Sequence, residues 1–220
     1  MYNLEIQEMF HENLIEFCNS GKVHNFIFFY KEFVELDKLI FLRVKAVDMS
    51  KVKTVMDIGT GAGFPGVPLK IAFPELEACL LDSLNKRVKF LEETFALLGL
   101  ENITAIHGRA EEYAKNKAYR EKYDLCVSRA VSGLATLSEY CLPYVKVGGL
   151  FVSYKSGSVK EEAEAAEKAV KILGGKIRDI QYFDLPGSEI SRSLVIIEKV
   201  KNTPGKYPRK AGTPLREPLA

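Results

Sequence analysis

Tryptophan is absent from the 220-residue sequence, and histidine and methionine are sparse, at three and four. There are only four cysteines: Cys18, Cys79, Cys126 and Cys141. None stands in a C-x-x-C pair or at ligand spacing from a histidine, which argues against a zinc site and against a disulfide framework. Cys79 and Cys126 lie in apolar runs, where cysteine acts as a small hydrophobe, so reduced structural thiols are expected. No apolar run approaches the roughly 18 residues that cross a bilayer. The opening Met1-Tyr-Asn-Leu4 lacks the basic-then-apolar order of a signal peptide. A soluble, cytoplasmic protein with no membrane partner is expected, and a monomer. Nucleophilic triads, metal clusters, internal repeats and the Pro-Pro-Tyr loop of amino-methylating enzymes are all missing.

What is present is a composition able to build a core. Hydrophobic residues make up 47% of the chain, enough at this length for one large domain. Net charge is +2, but its distribution is uneven: Lys199 to Ala220 holds six Lys or Arg against one Glu, and four of the nine prolines. That stretch reads as a basic, Pro-rich, extended tail that cannot form a helix. It is either a solvated terminus or an arm that neutralises phosphates.

Residues 2–19 and His24 to Val47 are helical in pattern, so 1–50 is expected to be an N-terminal helical extension. From 51 to 200 short apolar runs alternate with amphipathic ones. Strands are expected at Thr54–Ile58, Leu76–Asp82, Ile103–His107, Tyr123–Ser128 and Gly149–Lys155. Helices are expected at Pro65–Ala72, Asn85–Leu98, about Ala110–Lys117, Leu134–Leu142 and Val159–Leu173. This alternation predicts βαβ units and a parallel sheet. The last two runs, Lys176–Phe183 and Arg192–Val200, are too close for a crossover helix and should form an antiparallel hairpin. Residues 201–220 form the tail.

The stretch Asp57-Ile-Gly-Thr-Gly-Ala-Gly-Phe-Pro-Gly66 follows the first strand and opens a helix. Glycines here permit positive φ and let a ligand approach the backbone, and the helix start offers amide donors. Gly61-x-Gly63-x-x-Gly66 fits a dinucleotide fingerprint, with Asp82 about 20 residues on for the ribose. It equally fits the S-adenosylmethionine form of the loop, with Asp57, Gly59, Gly61, Gly63 and Phe64 around the methionine end and Asp82 on the ribose. Three points favour the latter. An acid at position 57 suits an ammonium or sulfonium better than a pyrophosphate. The terminal hairpin is the usual ending of S-adenosylmethionine-dependent methyltransferase sheets. Little chain remains for a dehydrogenase's substrate domain.

Other residues fall at the same sheet edge. His107-Gly-Arg-Ala110-Glu111 follows strand three and could flank an adenine, although two acids there also suit a helix start. Arg129 ends strand four and could hold a carboxylate or a phosphate. Lys155 ends strand five and, with Arg129, could position substrate. No residue is expected to act as a catalytic acid or base.

These residues resemble a known family. The Gly-Phe-Pro-Gly66 extension, Leu81-Asp-Ser-Leu-Asn-Lys-Arg87, Gly108-Arg-Ala-Glu111, Ser128-Arg-Ala130 and Tyr207-Pro-Arg-Lys-Ala-Gly-Thr-Pro214 look like bacterial small-subunit ribosomal RNA guanine-N7 methyltransferases, the glucose-inhibited division protein B family. The resemblance implies an α/β class I, Rossmann-like methyltransferase using S-adenosylmethionine as cofactor and 16S rRNA of the small ribosomal subunit as partner. Its target in that family is N7 of guanine 527. It carries cofactor contacts onto Gly59, Phe64, Ala110, Glu111 and Arg129, and makes Lys206, Arg209 and Lys210 of the tail RNA-binding. Before the first strand the chain departs from the family pattern, having no Trp. That departure keeps open an rRNA-binding assembly factor with a degenerate site; a NAD-linked oxidoreductase is the other rival.

Overall fold

The computed structural model describes residues 47–129, 132–184 and 191–219. The expected N-terminal extension lies outside these residues except for its last few, which end in a 3₁₀ turn at Met49–Lys51. Seven strands follow: β1 Thr54–Ile58, β2 Glu77–Asp82, β3 Ile103–His107, β4 Tyr123–Ser128, β5 Val145–Ser156, β6 Gly175–Asp184 and β7 Ser191–Lys199. Between them run α1 Gly66–Ala72, α2 Asn85–Leu97, the single turn α3 Ala110–Tyr113, α4 Leu134–Cys141 and α5 Lys160–Ile172. A last turn, α6, spans Thr213–Arg216.

The strand order is β3-β2-β1-β4-β5-β7-β6. β1 to β5 are parallel, whereas β7 pairs antiparallel with both β5 and β6. The parallel sheet and its closing antiparallel hairpin are thus as the alternation of runs predicts. Helices cover both faces, which is why the strands read as nearly continuous apolar runs rather than as alternating ones. Met56, Ile58, Leu81, Cys126 and Phe151 pack with α4 and α5 on one face. Val55, Leu125, Val127, Val152 and Ile196 pack on the other, with Leu69 of α1. Cys79, Cys126 and Cys141 are buried free thiols; Cys18 lies outside the described residues. Among the described residues no helix is long and apolar enough to cross a membrane.

Three expectations need correction. β5 begins at Val145, earlier than Gly149, and runs through Gly148, which takes φ +87°. The helix after β3 is one turn, not two. The tail is not wholly extended: Pro214 sits in the first turn of α6, where its missing N–H costs nothing. Nor does the tail stand off from the domain. Thr203, Tyr207 and Pro214 are buried, and Thr136 Oγ1 donates to the Pro214 carbonyl at 3.0 Å.

Candidate active site

The register aligns the carboxyl ends of β1, β2, β3 and β4: Ile58 pairs with Leu81, Asp82 with His107, and Ser128 with Ser153. From β1 the chain goes first to β2 and β3 on one side, then to β4 and β5 on the other. The gap between β1 and β4 is therefore the topological switch point, where open α/β sheets bind ligands. The glycine loop, Arg129 and the loops after β2 and β3 all lie along this edge.

The loop is built on its own donors. Gly59 N and Thr60 N both donate to the Leu81 carbonyl, at 2.8 and 3.2 Å, so the chain folds over the end of β2. Gly59, Gly61 and Gly63 take φ of +71°, +63° and +99°. The last two differ in purpose. A Cβ on Gly63 would lie 2.6 Å from Val67 Cγ2, so that glycine serves packing. A Cβ on Gly61 would meet nothing within 4 Å. Gly61 therefore presents bare backbone to open space.

Asp57 lies beneath the loop rather than on its open side, fully buried. Its Oδ2 accepts from Thr60 Oγ1 at 2.7 Å and from Gly66 N at 2.9 Å. Its Oδ1 has no hydrogen-bond partner. Burial pushes the carboxyl up to about 6, against the pull of Thr60, Gly66 and the Arg129 charge. Asp57 thus positions the loop and sets a negative charge under it. Thr60, its hydroxyl partner, escaped the sequence reading, although a hydroxyl between the glycines was the available signal.

Asp82 closes the other side. Its Oδ1 accepts from Leu84 N at 2.9 Å, and its Oδ2 from Gly61 N at 2.9 Å and Arg87 Nη1 at 3.2 Å. The carboxylate is buried while Arg87 is half-exposed, so Arg87 is the partner that can yield to an incoming hydroxyl. His107 Nε2 lies 3.2 Å from the Ser83 carbonyl and joins the loops after β3 and β2.

After β3, the Ala110 carbonyl accepts from Tyr144 Oη at 2.7 Å. Glu111 Oε1 accepts from Gly212 N at 2.8 Å, so the tail reaches the site. Arg129 is exposed, its guanidinium carbon 5.7 Å from the Phe64 ring centroid. It therefore covers the loop from the β4 side. Lys155 Nζ donates to the Ser132 carbonyl and to Glu162 Oε1, both at 2.7 Å. That Glu162 oxygen also accepts Leu134 N at 2.6 Å. Lys155 is thus committed to fixing Ser132 and, through Glu162, the start of α4.

The three tail cations differ. Arg209 forks the fully buried Glu139, with Nη2 at 2.7 Å from Oε2 and Nε at 3.0 Å from Oε1. Lys206 and Lys210 are exposed, and Lys206 Nζ lies 5.2 Å from the Tyr207 ring centroid. Glu139 was not singled out from the sequence; an acid inside the apolar stretch Leu134–Cys141 was its trace.

Known proteins resemble this chain. The family described as rRNA small subunit methyltransferase G matches residues 18–194. Ribosomal RNA small subunit methyltransferase G of Lachnoclostridium phytofermentans is 49% identical over 221 residues, 99% of this chain and 90% of its own length. Its counterpart from Clostridium tetani is 50% identical over 189 residues, 86% of this chain and 77% of its own. Among solved structures, StiE O-MT superposes with a TM-score of 0.60 at 18% identity, covering 80% of this chain and 78% of its own. M. jannaschii TYW2 in complex with AdoMet gives 0.54 at 14%, covering 68% and 70%. The solved structures speak for the fold, and the family match and the curated relatives for the lineage: the chain belongs to the rRNA small subunit methyltransferase G family.

Proposed function

We propose that the protein methylates N7 of a guanine in 16S rRNA of the small ribosomal subunit, guanine 527 in the family's usual case, with S-adenosylmethionine as methyl donor. The observation that carries the cofactor is Gly61: bare backbone in the left-handed region, facing open space, with its amide on the Asp82 carboxylate. The chain fits the cofactor in two further ways. Asp82 has a half-exposed partner that a ribose diol can displace. Asp57 keeps an unpartnered carboxylate oxygen under the loop, a charge that a cation above the loop compensates.

In this reading Gly59, Gly61 and Phe64 hold the methionine end while Gly63 lets the loop pack on Val67, Asp82 takes the ribose, and Ala110 and Glu111 flank the adenine. Arg129 covers the donor from β4. When bound, S-adenosylmethionine would supply an electrophilic methyl on its sulfonium, with a neutral thioether as the leaving group. N7 carries a lone pair and no proton, so the site needs no general base. What the chain's residues contribute is alignment. Lys155 does this at one remove, by fixing Ser132 and, through Glu162, the start of α4. Lys206 and Lys210 meet RNA phosphates, while Arg209 holds the tail that carries them. The protein acts as a cytoplasmic monomer.

The test is methyl transfer from labelled S-adenosylmethionine to small subunits lacking the modification, with the product nucleoside identified. 7-Methylguanosine in 16S rRNA is the expected result. Cofactor binding without transfer would overturn the substrate and leave an rRNA-binding assembly factor.

A further inference from the structure

The tail is a strap running from the amino-terminal edge of the sheet to the site. At the foot, Glu121 accepts Thr203 N at 2.7 Å and Asn202 Nδ2 at 3.0 Å, and pairs with Lys199. Arg120 donates to the Thr203 and Tyr207 carbonyls at 2.7 and 2.9 Å. Midway, Arg209 forks Glu139 on α4. At the top, Gly212 N reaches Glu111 on α3.

α3 needs this support. A helix of one turn cannot hold its own geometry in water, because nucleation is unfavourable. Glu111 is 4% exposed, and a buried carboxylate must find donors. Gly212 supplies one, at φ +81°, the left-handed angle by which the chain turns from this contact into α6. The pair is not local: the two residues are 101 positions apart. The strap and the turn after β3 therefore share one geometry.

We propose that the strap positions the adenosine-side wall of the cofactor site, with Gly212 on Glu111 and Arg209 on Glu139 setting the placement of Ala110 and Glu111. The inference rests on the cofactor reading above. Gly212 offers a clean test, since a Cβ there meets nothing within 4 Å. A substitution changes only what backbone conformation the position accepts. Valine does not take this φ, whereas asparagine tolerates it.

The experiment measures binding of S-adenosylmethionine and of 5′-methylthioadenosine, which lacks the amino acid part, by calorimetry on the folded full chain. Gly212→Val should raise both Kd values about tenfold, the equivalent of one positioning hydrogen bond. Gly212→Asn should stay within about twofold of the parent. In methyl transfer, Gly212→Val should raise KM for the donor and leave kcat nearly unchanged. A Glu139→Met, Arg209→Met double variant, which removes the pair without orphaning a charge, should show the same rise. Lowered melting temperature with unchanged Kd in both strap variants would make the strap merely structural and overturn the proposal. Failure of the parent chain to bind either ligand would instead overturn the cofactor reading itself.

Discussion

Asp57 and Gly66, nine positions apart, are joined by a 2.9 Å hydrogen bond from the amide of Gly66 to Asp57 Oδ2. A Cβ on Gly66 would sit 2.9 Å from that same oxygen. The glycine loop is thus closed by a chord between a buried charge at the end of β1 and the first residue of α1. The chord explains why the loop keeps its shape and why its negative charge lies beneath it.

This charge gives a pH dependence. The Asp57 carboxyl titrates at about 6 in the folded protein, against an ordinary 3.8. The folded state therefore holds this proton more tightly than the unfolded one. Its contribution to stability is greatest below about pH 4 and is lost as pH rises through 6. Cofactor binding should run the other way, weakening as pH falls through 6, because the ionised form stabilises a cation above the loop. Calorimetric titrations from pH 5 to 8 should show both trends, and Asp57→Asn should flatten both. A flat affinity profile in the parent protein would remove Asp57 from cofactor recognition.

The two central glycines should separate binding from folding. Gly61→Ala meets only the cost of its backbone angle, about 1 kcal/mol, but places a methyl where the ligand approaches. Cofactor affinity should drop at least tenfold with a small change in melting temperature. Gly63→Ala forces a methyl against Val67 and Leu91, and should cost about 2–3 kcal/mol of stability by overpacking. Equal losses of stability in the two variants would contradict this division of roles.

Lys199 is fully buried, with Nζ bonded to the Leu142 and Val145 carbonyls and to Thr203 Oγ1, and paired with Glu121. Replacing it with methionine strands these acceptors and should cost about 3 kcal/mol in urea denaturation. Burial lowers its pKa to about 8, from 10.5. The folded state is thus the first to release this proton, and stability gains from it as pH rises from 8 towards 10.5. Lys199→Met should abolish that gain. A variant as stable as the parent would show that the network adds nothing.

Among the tail cations, Lys206 and Lys210 should behave alike and Arg209 differently. Replacing both lysines with alanine removes two phosphate contacts and should reduce the salt slope of RNA binding by about 1.5, leaving the melting temperature alone. Arg209→Ala should lower the melting temperature, since it leaves Glu139 buried with a backbone donor only. An unchanged salt slope in the lysine variant would return these residues to the solvated surface.

The core of the fold was readable because both faces of the sheet are covered at its centre, which makes each central strand an apolar run with clear ends. β1 and β4, central and largely buried, match their expected spans to the residue for that reason. β5 does not: its expected start is Gly149, yet the strand begins at Val145 and passes through Gly148, and its pairing with β4 shifts register between Tyr123 and Leu125. The glycine loop and Asp82 were legible because their partners lie within about 20 positions. The strap was not. Its partners are 70 positions away for Arg209 and 101 for Gly212, and no local pattern encodes such pairings. A lone Glu inside α4 and a Lys ending β7 look, in sequence, like solvent-facing ends.

The strap also fixes an order of events during synthesis. Chains fold from their amino-terminal side as they are made, but here the segment that braces α3 is made after every strand of the sheet. β7, which lies between β5 and β6, is also a late arrival. A nascent chain can assemble β1 to β5 and the glycine loop, yet it cannot finish the wall beside Ala110 and Glu111 until Arg209 and Gly212 have been made. Completion of the active site thus waits on a segment made after the whole sheet, and a product truncated before Arg209 keeps the strands while lacking the brace.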